Sequence, residues 1–239
     1  MRIVHLTAGA GARYCGACLR DTALVRALRA EGHDVTLQAL YLPVHDEYAA
    51  QEDGDIQMGG VATWLAINAP RMSGLVAPVQ GALNARLLLR VAATLGEMTD
   101  PSTLGPMTDA TVRGEGDAVG DLLARVYREV ASKNPDVILL SNALLLGLAP
   151  GLKSLTRSSI ICTLQSESDF IDDLKDPWPS RVWDGLRGLR GSVDGYIAVS
   201  KSHGSEMVER LGLDDAMVSV VPHGIETASY GPAQDDASH

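Results

Sequence analysis

The chain has 239 residues, with 20 Lys+Arg against 30 Asp+Glu, a formal net charge of −10, and 46% hydrophobic but only 4% aromatic residues. That length is long for one domain and short for two, and the composition excludes a wholly disordered chain. The acidic balance argues against a general nucleic-acid binder, which needs a basic face for phosphates, while leaving room for a local basic pocket.

The chain opens on a short strand pattern, Arg2–Thr7, that leads into the small-residue stretch Ala8–Ala12. A helix pattern follows, with Leu24, Val25 and Leu28 on one side, Asp21 in its first turn, Arg26 and Arg29 near its end and Gly32 as its stop. Asp34–Leu40 is the next strand, so the order strand, glycine loop, helix, strand predicts a right-handed βαβ unit with parallel strands. Residues 43–60 are polar and loop-like, and Gly60–Ile67 has a strand pattern. Leu83, Leu87, Leu88, Val91 and Leu95 mark an amphipathic helix, with Arg86 and Arg90 on another face. Gly96–Gly116 is rich in Gly, Pro, Thr and Asp without a period, which predicts a long loop.

From Asp117 the pattern sharpens. Val119, Leu122, Leu123, Val126 and Val130 recur at helical spacing until Asn134-Pro135 ends the helix. Asp136–Leu140 is a continuous apolar run, as suits a buried parallel strand, and Ser141-Asn142 separates it from a helix over Ala143–Leu155. Ser159–Leu164, Gly195–Ser200 and Met217–Val221 follow as strands, with helices over Trp178–Leu189 and Ser202–Leu211. These elements predict a doubly wound α/β fold, a mainly parallel Rossmann-like sheet with helices on both faces, over residues 1–226, and a polar, disordered tail over 227–239. No apolar run reaches the length of about 18 residues that a membrane helix needs. Three cysteines and no signal-peptide core predict a soluble, cytoplasmic protein.

In such sheets ligands bind at the carboxyl ends of the strands. Gly9 and Gly11 follow the first strand, where glycines let the backbone approach a phosphate; the plainer reading is a flexible loop without a ligand. A dinucleotide fingerprint is not met, because the third glycine falls late and no acid ends the second strand. Cys15 and Cys18 form one C-x-x-C at a helix start, which permits thiol redox chemistry; half a zinc site is not a zinc site, and two small residues packing a turn is the plainer reading. Gln165, Glu167 and Asp169 follow a buried strand, placed either to bind a hydroxyl-rich substrate or to cap the next helix. Asn142, Ser200 and Lys201 stand at two further strand ends, although Ser200 could simply cap a helix.

The order of five motifs carries a resemblance: Arg2–Gly9, Leu28–Val35, Asn134–Leu139, Gly195–Lys201 and Val220–Ile225. In these the chain resembles the N-terminal, acceptor-side domain of a family 4, GT-B-fold, retaining glycosyltransferase, and Tyr14–Asp21 is similar to one subgroup of such enzymes. The resemblance implies one half of a GT-B fold, with a nucleotide-sugar donor held between two Rossmann-like domains and no cofactor or metal. Gly9 and Gly11 would lie near the donor diphosphate, and Gln165, Glu167, Asn142, Ser200 and Lys201 are candidates for binding sugar or acceptor. Arg86 and Arg90, with the Gly96–Gly116 stretch, could form an acceptor surface or touch a membrane peripherally; a solvated helix face is the plainer reading. Where such enzymes often have His, this chain has Gln165, which can hydrogen-bond a hydroxyl but cannot exchange protons near neutral pH. His5 and His203 are read as structural. The resemblance also implies a C-terminal domain, separately encoded or missing, that supplies the donor-phosphate cations, so these residues alone are expected to transfer negligible sugar. A thiol-redox protein using Cys15 and Cys18, or a non-catalytic nucleotide-binding module, is the alternative.

Overall fold

The computed structural model describes residues 1–9, 15–43, 58, 101–114 and 117–224. Its strands are β1 (Arg2–Thr7), β2 (Asp34–Ala39), β3 (Val137–Leu140), β4 (Ser159–Leu164), β5 (Gly195–Ala198) and β6 (Val218–Val220). They form one sheet in the order β2-β1-β3-β4-β5-β6, and every pairing is parallel. The helices are α1 (Gly16–Ala30), α2 (Pro101–Arg113), α3 (Asp117–Ser132), α4 (Ala149–Leu155), α5 (Glu167–Asp172), α6 (Trp178–Leu189) and α7 (Lys201–Leu211). A 3₁₀ segment, Ala143–Leu148, runs into α4, so the single helix expected over 143–155 has a tighter first half.

The chain steps one way from β1 to β2 and the other way from β3 onward. Right-handed crossovers therefore put α1 on one face and the later helices on the other. The period-2 alternation of the strands shows the result. Val4, Leu6, Ile138, Leu140, Ile160, Cys162, Leu164, Tyr196 and Ala198 enter the main core with Val126, Leu146, Leu152, Val182 and Met207. Ile3, Val35 and Leu37 pack instead with Val25 of α1, and Leu28, Val137 and Leu139 lie against them. Two buried faces explain why β3 is an uninterrupted apolar run, and fully burying one Leu such as Leu140 contributes about 1.5–3 kcal/mol.

The predicted loop over 96–116 is corrected by α2, and its composition has a packing reason. A Cβ on Gly105 would lie 2.3 Å from the Trp178 ring, so the small residue lets α2 approach α6. The hydroxyls of Thr108 and Thr111 donate to Leu104 O and Met107 O one turn back, and Val112 is buried. Asp109, also buried, accepts from Arg113 and Arg181 and ties α2 to α6. Tertiary contacts here outweigh weak helix propensity. Asp21 is also moved: α1 begins at Gly16, so Asp21 sits in the second turn and faces inward. The strand pattern of 60–67, the helix pattern of 83–95 with Arg86 and Arg90, and the tail over 227–239 lie outside the described residues.

α7 shows both helix-end devices. Ser200 Oγ accepts from the His203 N–H at 3.1 Å, and Gly212 closes the helix at φ +66° with its N–H donating to Val208 O. Nothing crowds a Cβ at Gly212, so Gly212→Ala is expected to cost only the left-handed backbone penalty, about 1–2 kcal/mol, in a urea melt.

Candidate functional site

The carboxyl ends of the strands bring together residues far apart in sequence. β1 exits through Ala8 and Gly9, whose carbonyl and backbone run against the exit of β2: Tyr41 and Leu42 N–H both donate to Ala8 O at 3.1 Å. Gly9 adopts φ +79°, and a Cβ there would fall 1.6 Å from Leu42 O. This neighbour requires the glycine whatever ligand lies beyond it. Gly11 lies outside the described residues.

Beside β1, an inward-facing carboxylate organises three elements. Asp21 Oδ2 accepts from Thr7 Oγ1 at 2.8 Å and from Ser141 Oγ at 2.6 Å. Its Oδ1 lies 3.2 Å from His5 Nε2 and receives the Arg20 guanidinium. His5 is wholly buried, and neither ring nitrogen meets hydrogen-bond geometry among the described residues. Burial opposes the Asp21 charge, but His5, Arg20 and Ser141 outweigh it and hold the carboxyl well below the usual range. Arg20 also reaches Ser141 O at 3.4 Å, which sets a cation at the strand ends.

A second carboxylate joins β3, β4 and α7. Glu167 is 2% exposed; its Oε1 accepts from Ala143 N–H at 2.7 Å and its Oε2 from Gln165 N–H at 2.6 Å. His203 Nε2 lies 3.4 Å from the same Oε2, and this hydrogen bond, against burial, raises the His203 pKa, with Glu206 adding to the effect. The Gln165 amide donates to Ser141 O, and Asn142 Oδ1 caps the 3₁₀ segment by accepting from Leu144 N–H at 3.1 Å. Gln165 Oε1 and Asn142 Nδ2 make no hydrogen bond among the described residues. One acceptor and one donor from neighbouring strand ends are thus left at a partly exposed rim. Ser200 and Lys201 are exposed at the start of α7.

A cleft of about 580 Å³ opens next to this rim, between α1 and the face of β4 and β5. Leu24, Ala27, Ile197, Val199 and Val221 line it, with Arg20, Arg26 and His223 as its charged or titratable groups. Burial, then the nearby Arg20, lowers the His223 pKa. Gln165, Glu167, Asn142, Ser200 and Lys201 do not line this cleft; they share the rim, while Arg20 belongs to both. Sequence reasoning named Asp21 only as a helix-start acid and passed over Arg20. Their signal was position, one turn past the glycine loop. Among the described residues no group of three or more His, Cys, Asp or Glu is placed to hold a metal ion, and no helix is long and apolar enough to cross a membrane.

Residues 111–229 match the family model described as Glycosyltransferase Family 4. No curated protein sequence matches the chain. Among solved structures, the lipopolysaccharide outer core galactosyltransferase WaaB in its apo form superposes over 99% of this chain with a TM-score of 0.51 at 10% identity. The chain spans 50% of that protein's length, and at this identity the likeness is one of fold. The match over residues 111–229, together with the six-stranded parallel sheet and its superposition on a GT-B-type enzyme, supports a family 4, GT-B-type glycosyltransferase domain.

Proposed function

We propose that the chain is the acceptor-binding half of a retaining glycosyltransferase that uses a nucleotide-sugar donor, its site completed by a second Rossmann-like domain. The observation that supports this most is the rim, where Asn142 and Gln165 each keep one amide atom uncommitted among the described residues, beside the Arg20 cation. Directional donors and acceptors on rigid strand ends suit a hydroxyl-rich ligand, and a guanidinium suits an anionic neighbour. In the reaction the bond from the anomeric carbon to the donor diphosphate breaks while a bond to an acceptor hydroxyl forms. Negative charge builds on the departing diphosphate, so fixed cations and N–H groups around it set the rate. In this chain Gly9 and Gly11 would approach the diphosphate. Arg20 is partly neutralised by Asp21, so most of that charge would be met by the other domain. Gln165, an amide, would orient a hydroxyl without moving its proton.

Calorimetry and transfer assays with UDP- and GDP-sugars, with and without a supplied C-terminal donor domain, test the reading. The 239-residue chain alone is expected to show negligible transfer, and the completed enzyme to turn over. In the completed enzyme Gln165→Ala should raise the acceptor KM about tenfold, as one lost hydrogen bond does, with little change in donor affinity. Turnover by the chain alone at about 1 s⁻¹ or faster would sink the two-domain reading.

A further inference from the structure

The function above leaves unused the two cysteines at the start of α1. Cys15 is its N-cap residue, in extended backbone at φ −134° and ψ 121°, and makes no side-chain cap bond. Its carbonyl accepts from Leu19 N–H at 3.0 Å, so the residue is fixed at the helix entrance. Cys18 stands one turn on and is 3% exposed, whereas Cys15 is only partly buried. The C-x-x-C spacing therefore sets an outer thiol at the helix entrance, beside the first unpaired N–H groups of α1, and an inner thiol one turn behind it. Residues three apart on a helix turn place their Cβ atoms about 5–6 Å apart. Because Cys15 lies outside the helix proper, a small backbone adjustment at this N-cap position can bring its Cβ to the roughly 4 Å that a disulfide needs.

We propose that Cys15 and Cys18 are a redox-active dithiol, with Cys15 attacking small disulfides such as glutathione disulfide and Cys18 resolving the product to an internal disulfide. The division of roles follows from placement. The outer thiol meets solvent at a helix N-terminus, where partial positive charge stabilises a thiolate. The inner thiol is buried behind it. The neighbouring Cys18 thiol, against burial, lowers the Cys15 pKa to about 6, and the Cys15 thiol together with burial pushes Cys18 up. Among the described residues, Cys18 and Asp21, both on α1, are the titratable groups acting on Cys15.

The exchange balances in two steps. The Cys15 thiolate attacks one sulfur of glutathione disulfide, forming a mixed disulfide and releasing one glutathione thiolate. Cys18 then loses its proton and attacks the Cys15 sulfur, which closes the internal disulfide and expels the second glutathione thiolate. The protein dithiol is oxidised by two electrons, and one glutathione disulfide is reduced to two glutathione thiols. Cys162 is an internal control: it is fully buried on β4, its thiol donates to Thr163 O at 3.5 Å, and burial holds its pKa well above the ordinary value.

The test equilibrates the whole chain in glutathione redox buffers, quenches with acid, alkylates and maps the peptides by mass. The wild type is expected to lose two hydrogens, mapped to Cys15–Cys18, and to regain them in excess reduced glutathione, with Cys162 unchanged throughout. In Cys18→Ala the reaction should stop at a Cys15–glutathione mixed disulfide. Iodoacetamide modification of Cys15 should be half-maximal near pH 6 in the wild type and move to higher pH in Cys18→Ala. If that variant fails to fold, the wild-type titration and pH profile still decide. Absence of both internal and mixed disulfide, or Cys15 alkylation that rises only above about pH 8 like an ordinary thiol, overturns the proposal.

Discussion

Asp21→Ala is expected to cost about 3–5 kcal/mol of folding stability, the range for removing one partner from a buried charged cluster. The carboxylate is fully buried and receives the hydroxyls of Thr7 and Ser141, the Arg20 guanidinium and the nearby His5. Alanine leaves two buried hydroxyls without their acceptor and the wholly buried His5 without the carboxylate beside it. Asp21→Asn keeps the shape and one acceptor oxygen, so it should cost less, about 1–3 kcal/mol. The pH dependence separates charge from shape. Because the folded-state pKa is depressed, the stabilisation from ionised Asp21 is complete above the unfolded value near ~3.9 and is lost as pH falls below it toward the depressed value. The wild type should therefore lose stability below about pH 4 more steeply than Asp21→Asn. Denaturant melts at neutral and acid pH give both comparisons. An Asp21→Ala protein within about 1 kcal/mol of wild type would remove the cluster from any structural role.

The backbone plan was legible because its signals are local. β1, α1 and β2 follow from one strand pattern, one helical stripe and Gly32, and β3 from an apolar run too continuous for a one-sided strand. α3 was legible from five apolar residues at helical spacing. α2 was not, because Gly105, Pro106 and its threonines weaken propensity while their value lies in contacts with α6 and the 3₁₀ segment. The same division runs through the site. Strand ends could be named from the order of elements, so Gly9, Asn142, Gln165 and Ser200 were placed on the correct edge. Which groups are spent internally could not be named. Asp21 meets a hydroxyl 120 residues away, and Glu167 meets an N–H 24 residues away, and neither spacing has a sequence signature. Arg20 was passed over for the same reason, since its contact with Ser141 exists only once α1 and β3 are side by side.

Glu167 carries the other large expected effect. Its two oxygens each accept a backbone N–H, from Ala143 after β3 and from Gln165 after β4, so it fixes the two strand ends that present Asn142 and Gln165. A carboxylate can accept at both ends, whereas an amide cannot: Glu167→Gln must turn its NH₂ toward one of those donors. With that N–H unpaired and the charge lost, the expected cost is about 2–4 kcal/mol, from a substitution that changes no volume. His203 supplies a readout that general destabilisation would not give. Its raised pKa rests first on the Glu167 hydrogen bond, so stabilisation from protonated His203 is complete below the unfolded value near ~6.5 and fades as pH rises through the higher folded value. In Glu167→Gln the His203 midpoint should fall, followed by the ring Hε1 resonance in NMR, and the stability lost between neutral and mildly alkaline pH should shrink. A His203 midpoint unmoved by Glu167→Gln would place the control of that histidine with Glu206, 3.6 Å from Nδ1, and leave Glu167 as a backbone clamp alone.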